Sequence, residues 1–312
     1  MRLLRLVPDN THIRFMRGRL AGPLVSAVLS IASVILFFWP GVNYGIDYRG
    51  GTVVELRTAG PADLASLRSA FEGLQLGEVK LQGFGSPRDV RVTLGGSAPG
   101  EAARRNIQAM LASRFPGSEV RDYEVVGARV SEELFRHGLL ATAAAFAAVL
   151  VYVWFRFDWQ YGVGVVVTLL LDVTKTVGFL ALTQLQFDLN TVAAILTLIG
   201  YSVTDKVVVY DRVRENVRKH RSMKLRELID LSINQTLGRT VATSLTVLLS
   251  ILPLAVIGGG SIRDFAITII FGIIVGTSSS IFIAAPILLY LGQDKLSGAP
   301  GRPGALATAE PD

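Results

Sequence analysis

Six apolar runs, each near the length that crosses ~30 Å of hydrocarbon, constrain this chain more than any other feature. They lie at roughly 20–40, 138–156, 161–184, 189–210, 241–258 and 265–291. Their spacing predicts a polytopic α-helical membrane protein of six transmembrane helices. Half of the 312 residues are apolar and the mean hydropathy is +0.45, which a soluble domain of this size rarely shows. The net charge of +6 is read as topology rather than nucleic-acid binding, because basic residues gather on the cytoplasmic side of membrane proteins.

Arg2, Arg5, Arg14, Arg17 and Arg19 precede the first run and place residues 1–19 in the cytoplasm. That run ends at Trp39-Pro40 with no small-residue cleavage site, so a retained anchor over 20–40 is expected rather than a removed signal peptide. The segment 211–240 carries Arg212, Arg214, Arg218, Lys219, Arg221, Lys224 and Arg226 and is expected as a cytoplasmic loop within the bundle 138–291. The short links Gln184–Asp188 and Gly258–Asp264 hold almost no Lys or Arg, which suits the outer face. Arg156 falls in a tight inner turn. Both termini are therefore expected in the cytoplasm, with the Gly-, Pro- and Ala-rich tail 292–312 disordered.

Residues 41–137 are mixed, charged and turn-rich. Strands are predicted at Thr52–Thr58, Gly77–Phe84, Arg88–Leu94 and Glu119–Val126. Helices are predicted at Pro61–Gln75, with Pro61 in its first turn, and at Glu101–Phe115. The order βαββαβ gives one α+β ferredoxin-like periplasmic domain between helices 1 and 2. Val130–His137 then continues as helix into the second span.

Charged residues inside the spans carry the functional signal. Asp172 and Lys175 lie in the third run, Asp205 and Lys206 in the fourth. Each costs about 2.5–3.5 kcal/mol at the bilayer centre, so each should face a bundle interior or wet cavity and be paired. Asp172 and Lys175 share a helix face at a spacing of three. Asp205 and Lys206 point about 100° apart and should serve different partners. Arg239 opens the fifth run as a candidate partner for Asp205. A static ion-pair network would explain these groups; ion coupling explains them better, since a mid-membrane carboxylate can change charge with one-sided access.

Two softer features accompany them. Gly272, Gly276, Ser280 and Ala284 make a small-residue stripe suited to close helix contact. Pro253 and Gly258-Gly259-Gly260 are expected to end the fifth helix. No Gly-x4-Gly-Lys-Ser/Thr loop, no cysteine and three scattered histidines (His12, His137, His220) argue against ATP hydrolysis and a metal site. No nucleophile constellation is visible, so the chain is not expected to be an enzyme or to hold a cofactor.

Several ordered motifs resemble the SecD/SecF family of the resistance-nodulation-division superfamily. Gly45-Ile46-Asp47-Tyr48-Arg49-Gly50-Gly51 matches the signature that opens the family's outer domain, and Val126–Leu134 matches the one before helix two. The longest match runs from Phe187 through Ile199-Gly200-Tyr201-Ser202 and Asp205 to Asn216, followed by Gln235-Thr236 and Arg239-Thr240. The sequence departs from the family pattern at Leu171, where histidine is usual, at Thr204-Asp205-Lys206, at Lys175 and at Gly238.

The resemblance implies a subunit of the bacterial cytoplasmic membrane. It would be completed by SecD, docked on the SecYEG channel, and would use the proton motive force to promote late translocation of unfolded preprotein after SecA has begun it. On that resemblance Asp205, Arg239 and Asp172 are the proton- or ion-coupling residues. Lys175 and Lys206, which depart from the family pattern, are candidate modulators; H+ is the expected ion, and Na+ is the alternative. Membrane lipid is the remaining partner, and nucleic acid is not one. The competing functions are a superfamily exporter of lipids or hydrophobic small molecules, and a scaffold of the channel without ion coupling.

Overall fold

In hydrocarbon a backbone amide finds no water, so an apolar run must close its own hydrogen bonds as a helix. All six runs do so. The computed structural model describes residues 7–8, 11–95, 101–220 and 222–291; the tail expected to be disordered lies outside the described residues. In chain order the elements are α1 (Ala21–Leu36, extended by a π turn to Gly41), α2 (Ile46–Arg49), β1 (Gly51–Arg57), α3 (Leu64–Glu72), β2 (Glu78–Gly83), β3 (Asp89–Gly95), α4 (Glu101–Arg114), β4 (Glu119–Val126), α5 (Ala128–Arg156), α6 (Trp159–Thr183), α7 (Leu189–Lys219), α8 (Leu225–Ile257), α9 (Gly260–Ser279) and, after a π turn at Ser280–Ala284, α10 (Ala285–Leu291).

Between the first two spans stands the expected α+β domain. Its sheet has the order β2-β3-β1-β4 with every neighbouring pair antiparallel, the ferredoxin-like arrangement. Strand alternation divides the labour. Val54, Leu56, Val90, Val92 and Leu94 pack against Leu67, Phe71, Ile107 and Leu111 of α3 and α4. Glu55 and Arg91 point to the opposite face, which looks toward the membrane bundle.

Three local expectations are corrected. α3 begins at Leu64 because the Asp63 carboxylate accepts from Ala65 N and Ser66 N at 3.0 and 3.3 Å, a side-chain cap that places Pro61 outside the helix. The segment 211–240 is not a loop but a helical hairpin, since α7 reaches Lys219 and α8 starts at Leu225. A helix of 31 residues is about 46 Å long and overshoots the hydrocarbon. The projecting turns are tied by Asn216 Nδ2 donating to Ser232 Oγ at 2.9 Å and to Gln235 Oε1 at 2.8 Å. Finally, Pro253 does not end α8, since one missing amide within its last turns is tolerated, while the helix does stop at the glycine run as expected, with Gly258 as its C-cap.

α6, α7 and α9 form the bundle's centre, while α1, α5 and α8 leave most of their surface outside the chain. The small-residue stripe is what lets the centre close. A β-carbon on Gly272 would overlap the Leu198 side chain, and one on Gly276 would lie 3.2 Å from Ser202 Oγ. α7 and α9 thus approach at backbone distance, which brings the polar residues of three helices together.

Candidate ion-coupling site

Asp172 of α6 is the hub. Its Oδ2 accepts from Ser202 Oγ of α7 at 2.9 Å, Lys206 Nζ of α7 at 2.9 Å and Ser279 Oγ of α9 at 2.6 Å. Its Oδ1 faces Lys175 Nζ at 3.6 Å, too long for a hydrogen bond. Lys206 is fully buried, and its ammonium also donates to Ser202 Oγ and, at 3.4 Å, to Ser202 O. The expected Asp172–Lys175 pair is present, and Lys206 joins it. Attraction this deep is strong enough to offset desolvation only because three donors converge on one oxygen.

Asp205, one residue before Lys206, points away from that hub. It is 7% exposed and its Oδ2 makes no hydrogen bond. The hydroxyls of Thr240 and Ser280 are its polar neighbours. Asp205 and Arg239 line one small cleft of about 70 Å³, together with Tyr201, Thr204 and Thr243. No ion pair within 4.0 Å joins them among the described residues, so the expected direct partnership is replaced by a shared cleft. Arg239 is exposed on the outside of α8. Beside the cleft runs a hydroxyl relay, Tyr201–Ser244 at 2.7 Å and Ser244–Thr277 at 2.8 Å. The arrangement can hold a charge that has no fixed partner.

A second polar cluster, absent from the sequence reading, joins the sheet to the bundle. Arg91 of β3 is buried, pairs with Glu55 of β1 at 3.0 Å and with Asp264 of α9 at 3.3 Å, and donates to Gln186 Oε1 at 2.7 Å. The Gln186 amide in turn donates to Asp264 Oδ2 at 3.2 Å. The sequence signal was an arginine alternating with Val90 and Val92. It reads as a solvated strand face unless something covers that face.

The motif residues form the root of the domain rather than part of the charge cluster. The Gly45 amide donates to Phe187 O at 2.9 Å, and Asp47 Oδ2 accepts from Leu189 N at 2.9 Å, capping the head of α7. Burial, with Asp188 nearby, raises the Asp47 carboxyl above its ordinary value. Gly50 and Gly51 have φ of +70° and +132°, and a β-carbon on Gly51 would overlap the Leu94 carbonyl oxygen. Ser202 entered the sequence reading only as part of the family match and Ser279 not at all, because a serine in an apolar run carries no sign of its role until its neighbour is known.

Comparison with known proteins follows the same outline. The family model described as "Protein export membrane protein SecD/SecF, C-terminal" matches residues 106–294, and the "SecD/SecF GG Motif" matches 35–62. The chain is 44% identical over 301 residues to the protein translocase subunit SecF of Rickettsia felis, covering 94% of this chain and 96% of that one. It is 42% identical over 298 residues to the same subunit of Rickettsia prowazekii, covering 94% and 96%. The crystal structure of SecDF from Thermus thermophilus, a translocon-associated membrane protein, superposes with a TM-score of 0.84 at 36% identity. SecDF in its super-membrane-facing form gives 0.67 at 35%. Each superposition covers 90% of this chain, which spans 39% of those longer chains.

Proposed function

The chain belongs to the SecD/SecF family of protein-export membrane proteins, and from that membership we propose that it is an auxiliary subunit of the Sec translocase. In this reading it uses the proton motive force, together with SecD, to promote late preprotein translocation across the cytoplasmic membrane. Both termini lie in the cytoplasm and the ferredoxin-like domain in the periplasm, in keeping with the basic residues before α1 and in the α7–α8 hairpin.

The observation that carries the reading is Asp205: a carboxylate inside the spans, buried, with Oδ2 unpartnered, on a cleft shared with Arg239. A group held without a fixed counter-ion is free to gain and lose a proton. One charge crossing the field yields ~2.3 kcal/mol per 100 mV, enough to shift a two-state equilibrium about fifty-fold. Proton uptake removes the charge facing Arg239 and lets α7 and α8 move apart. Arg91, Gln186 and Asp264 pass that movement to the sheet. Asp172 holds α6, α7 and α9 together while this happens. The exposed apolar face of α8, with Leu249, Leu252, Val256 and Ile257, suits a SecD half. SecYEG, SecA and the unfolded preprotein are partners of the assembly, and no catalysis is involved.

Export of a model preprotein into membrane vesicles, with and without an imposed gradient, tests this. The gradient should accelerate completion for the wild type and not for Asp205→Asn. Equal acceleration of both would overturn it. A sodium gradient in place of the proton gradient distinguishes the coupling ion. The complete burial and saturation of Lys206 favours one alternative, a static ionic scaffold, and predicts that Asp205→Asn changes nothing.

A further inference from the structure

Glu55 stands directly opposite two charged residues across the sheet, Arg91 on β3 and Asp122 on β4. The first balances its charge and the second opposes it, since like charges in direct cross-strand register are destabilising. Glu124 follows two places along β4 and so points to the same face. That face looks onto the bundle across a polar cavity of about 440 Å³. Glu55, Arg91, Asp122 and Glu124 line it from the sheet, and Asp47 of α2 and Asp188 at the head of α7 line it from the other side. The approach is close: a β-carbon on Gly260, the first residue of α9, would overlap the Glu55 carboxylate. Asp264, one turn further along α9, is a sixth carboxylate, in contact with Arg91. Six acidic groups therefore share one guanidinium. Glu55 and Asp264 pair with it, whereas Asp47, Asp122, Glu124 and Asp188 have no cationic partner within 4.0 Å among the described residues.

We propose that this junction is a proton-sensitive latch: acid on the side of the α+β domain clamps the sheet to the bundle, and loss of those protons lets the surplus negative charge push the two apart. The protons go to carboxylates that Arg91 does not pair. Burial, and then Asp188, raises the Asp47 carboxyl above its ordinary value. Partial burial, and then Asp122, Asp47 and Glu55, raises that of Glu124. A group raised in the docked state contributes stability below its ordinary value and loses that contribution as pH rises through the raised one. Docking is therefore tightest in mild acid and loosens toward alkaline pH. The latch rests on the geometry of the junction and not on export activity.

Limited proteolysis of the full chain in lipid nanodiscs, which leave both faces open to the protease, tests this. Each rate is normalised to a peptide substrate cut at the same pH. The segment between α1 and α5 should be cut several-fold more slowly at about pH 5.5 than at about pH 8, with up to about tenfold for each proton held one unit more tightly. The double variant Asp122→Asn/Glu124→Gln should lose most of that difference and stay resistant at both values. Both residues are exposed on the edge strand β4, so the substitutions leave the core of the domain intact. Glu119→Gln, on the same strand but outside the cavity, should keep the wild-type response. Equal cutting at the two pH values, or faster cutting in acid, overturns the latch and leaves the Arg91 ion pairs as the tie between sheet and bundle. A double variant that keeps the wild-type response overturns it too, since the surplus charge is then not the source.

Discussion

Arg91 Nη1 lies 3.3 Å from Asp264 Oδ2, and this contact ties the third strand of the sheet to the head of α9. Both side chains are at least nine-tenths buried, so the pair is barely screened. Removing one member strands the other, at a cost of about 3–5 kcal/mol. Arg91→Ala should therefore leave the helices folded while freeing the sheet from the bundle. Limited proteolysis of membranes should release the segment between α1 and α5 markedly faster than from the wild type. In the proposed mechanism export should fall with it, although Asp205 is untouched.

The Asp172 hub predicts non-additive mutants. Asp172→Asn leaves two buried ammonium groups facing a neutral amide and should destabilise the bundle by about 3–5 kcal/mol. Lys206→Met leaves Asp172 with Lys175 alone. The double variant Asp172→Asn/Lys206→Met removes one charge of each sign and should recover part of the loss, because contacting residues couple by 0.5–3 kcal/mol. Thermal aggregation in detergent, followed by size-exclusion chromatography, measures each corner of the cycle.

Gly51 should tolerate no side chain. Its φ of +132° disfavours any L-residue, and a β-carbon would meet the carbonyl oxygen of Leu94 on the paired strand. Gly51→Ala should cost more than about 2 kcal/mol and reduce the amount of folded protein in the membrane. Gly50→Ala meets only contacts of 3.4 Å and longer and should be the milder of the two.

Asp47 gives a pH dependence of fixed sign. Burial raises its folded-state value above the ordinary 3.8, so the folded chain holds this proton more tightly than the unfolded one. Its contribution to stability is full below the ordinary value and declines as pH rises toward the raised one. Asp47→Asn should flatten that decline while still accepting from Leu189 N. Asp47→Ala also removes the titrating group but leaves the amide uncapped, so it should lie about 1 kcal/mol below Asp47→Asn at every pH. Unfolding midpoints measured between acid and neutral pH separate the two variants.

Much of this protein follows from local rules. Hydrocarbon compels each apolar run to bond its own backbone, so the six spans were legible from composition along the chain. Strand alternation and turn residues did the same for the βαββαβ order, and the cost of charge in lipid singled out Asp172, Lys175, Asp205 and Lys206. What the sequence could not decide is which of these meet. Lys206 stands beside Asp205 in sequence but bonds Asp172, 34 residues away. Arg91 finds Asp264 across 173 positions. Such choices depend on the rotation and closeness of packed elements, here on how near Gly272 and Gly276 let α9 approach α7. Helical periodicity names the residues on a face; only the packing of that face against its neighbours names their partners.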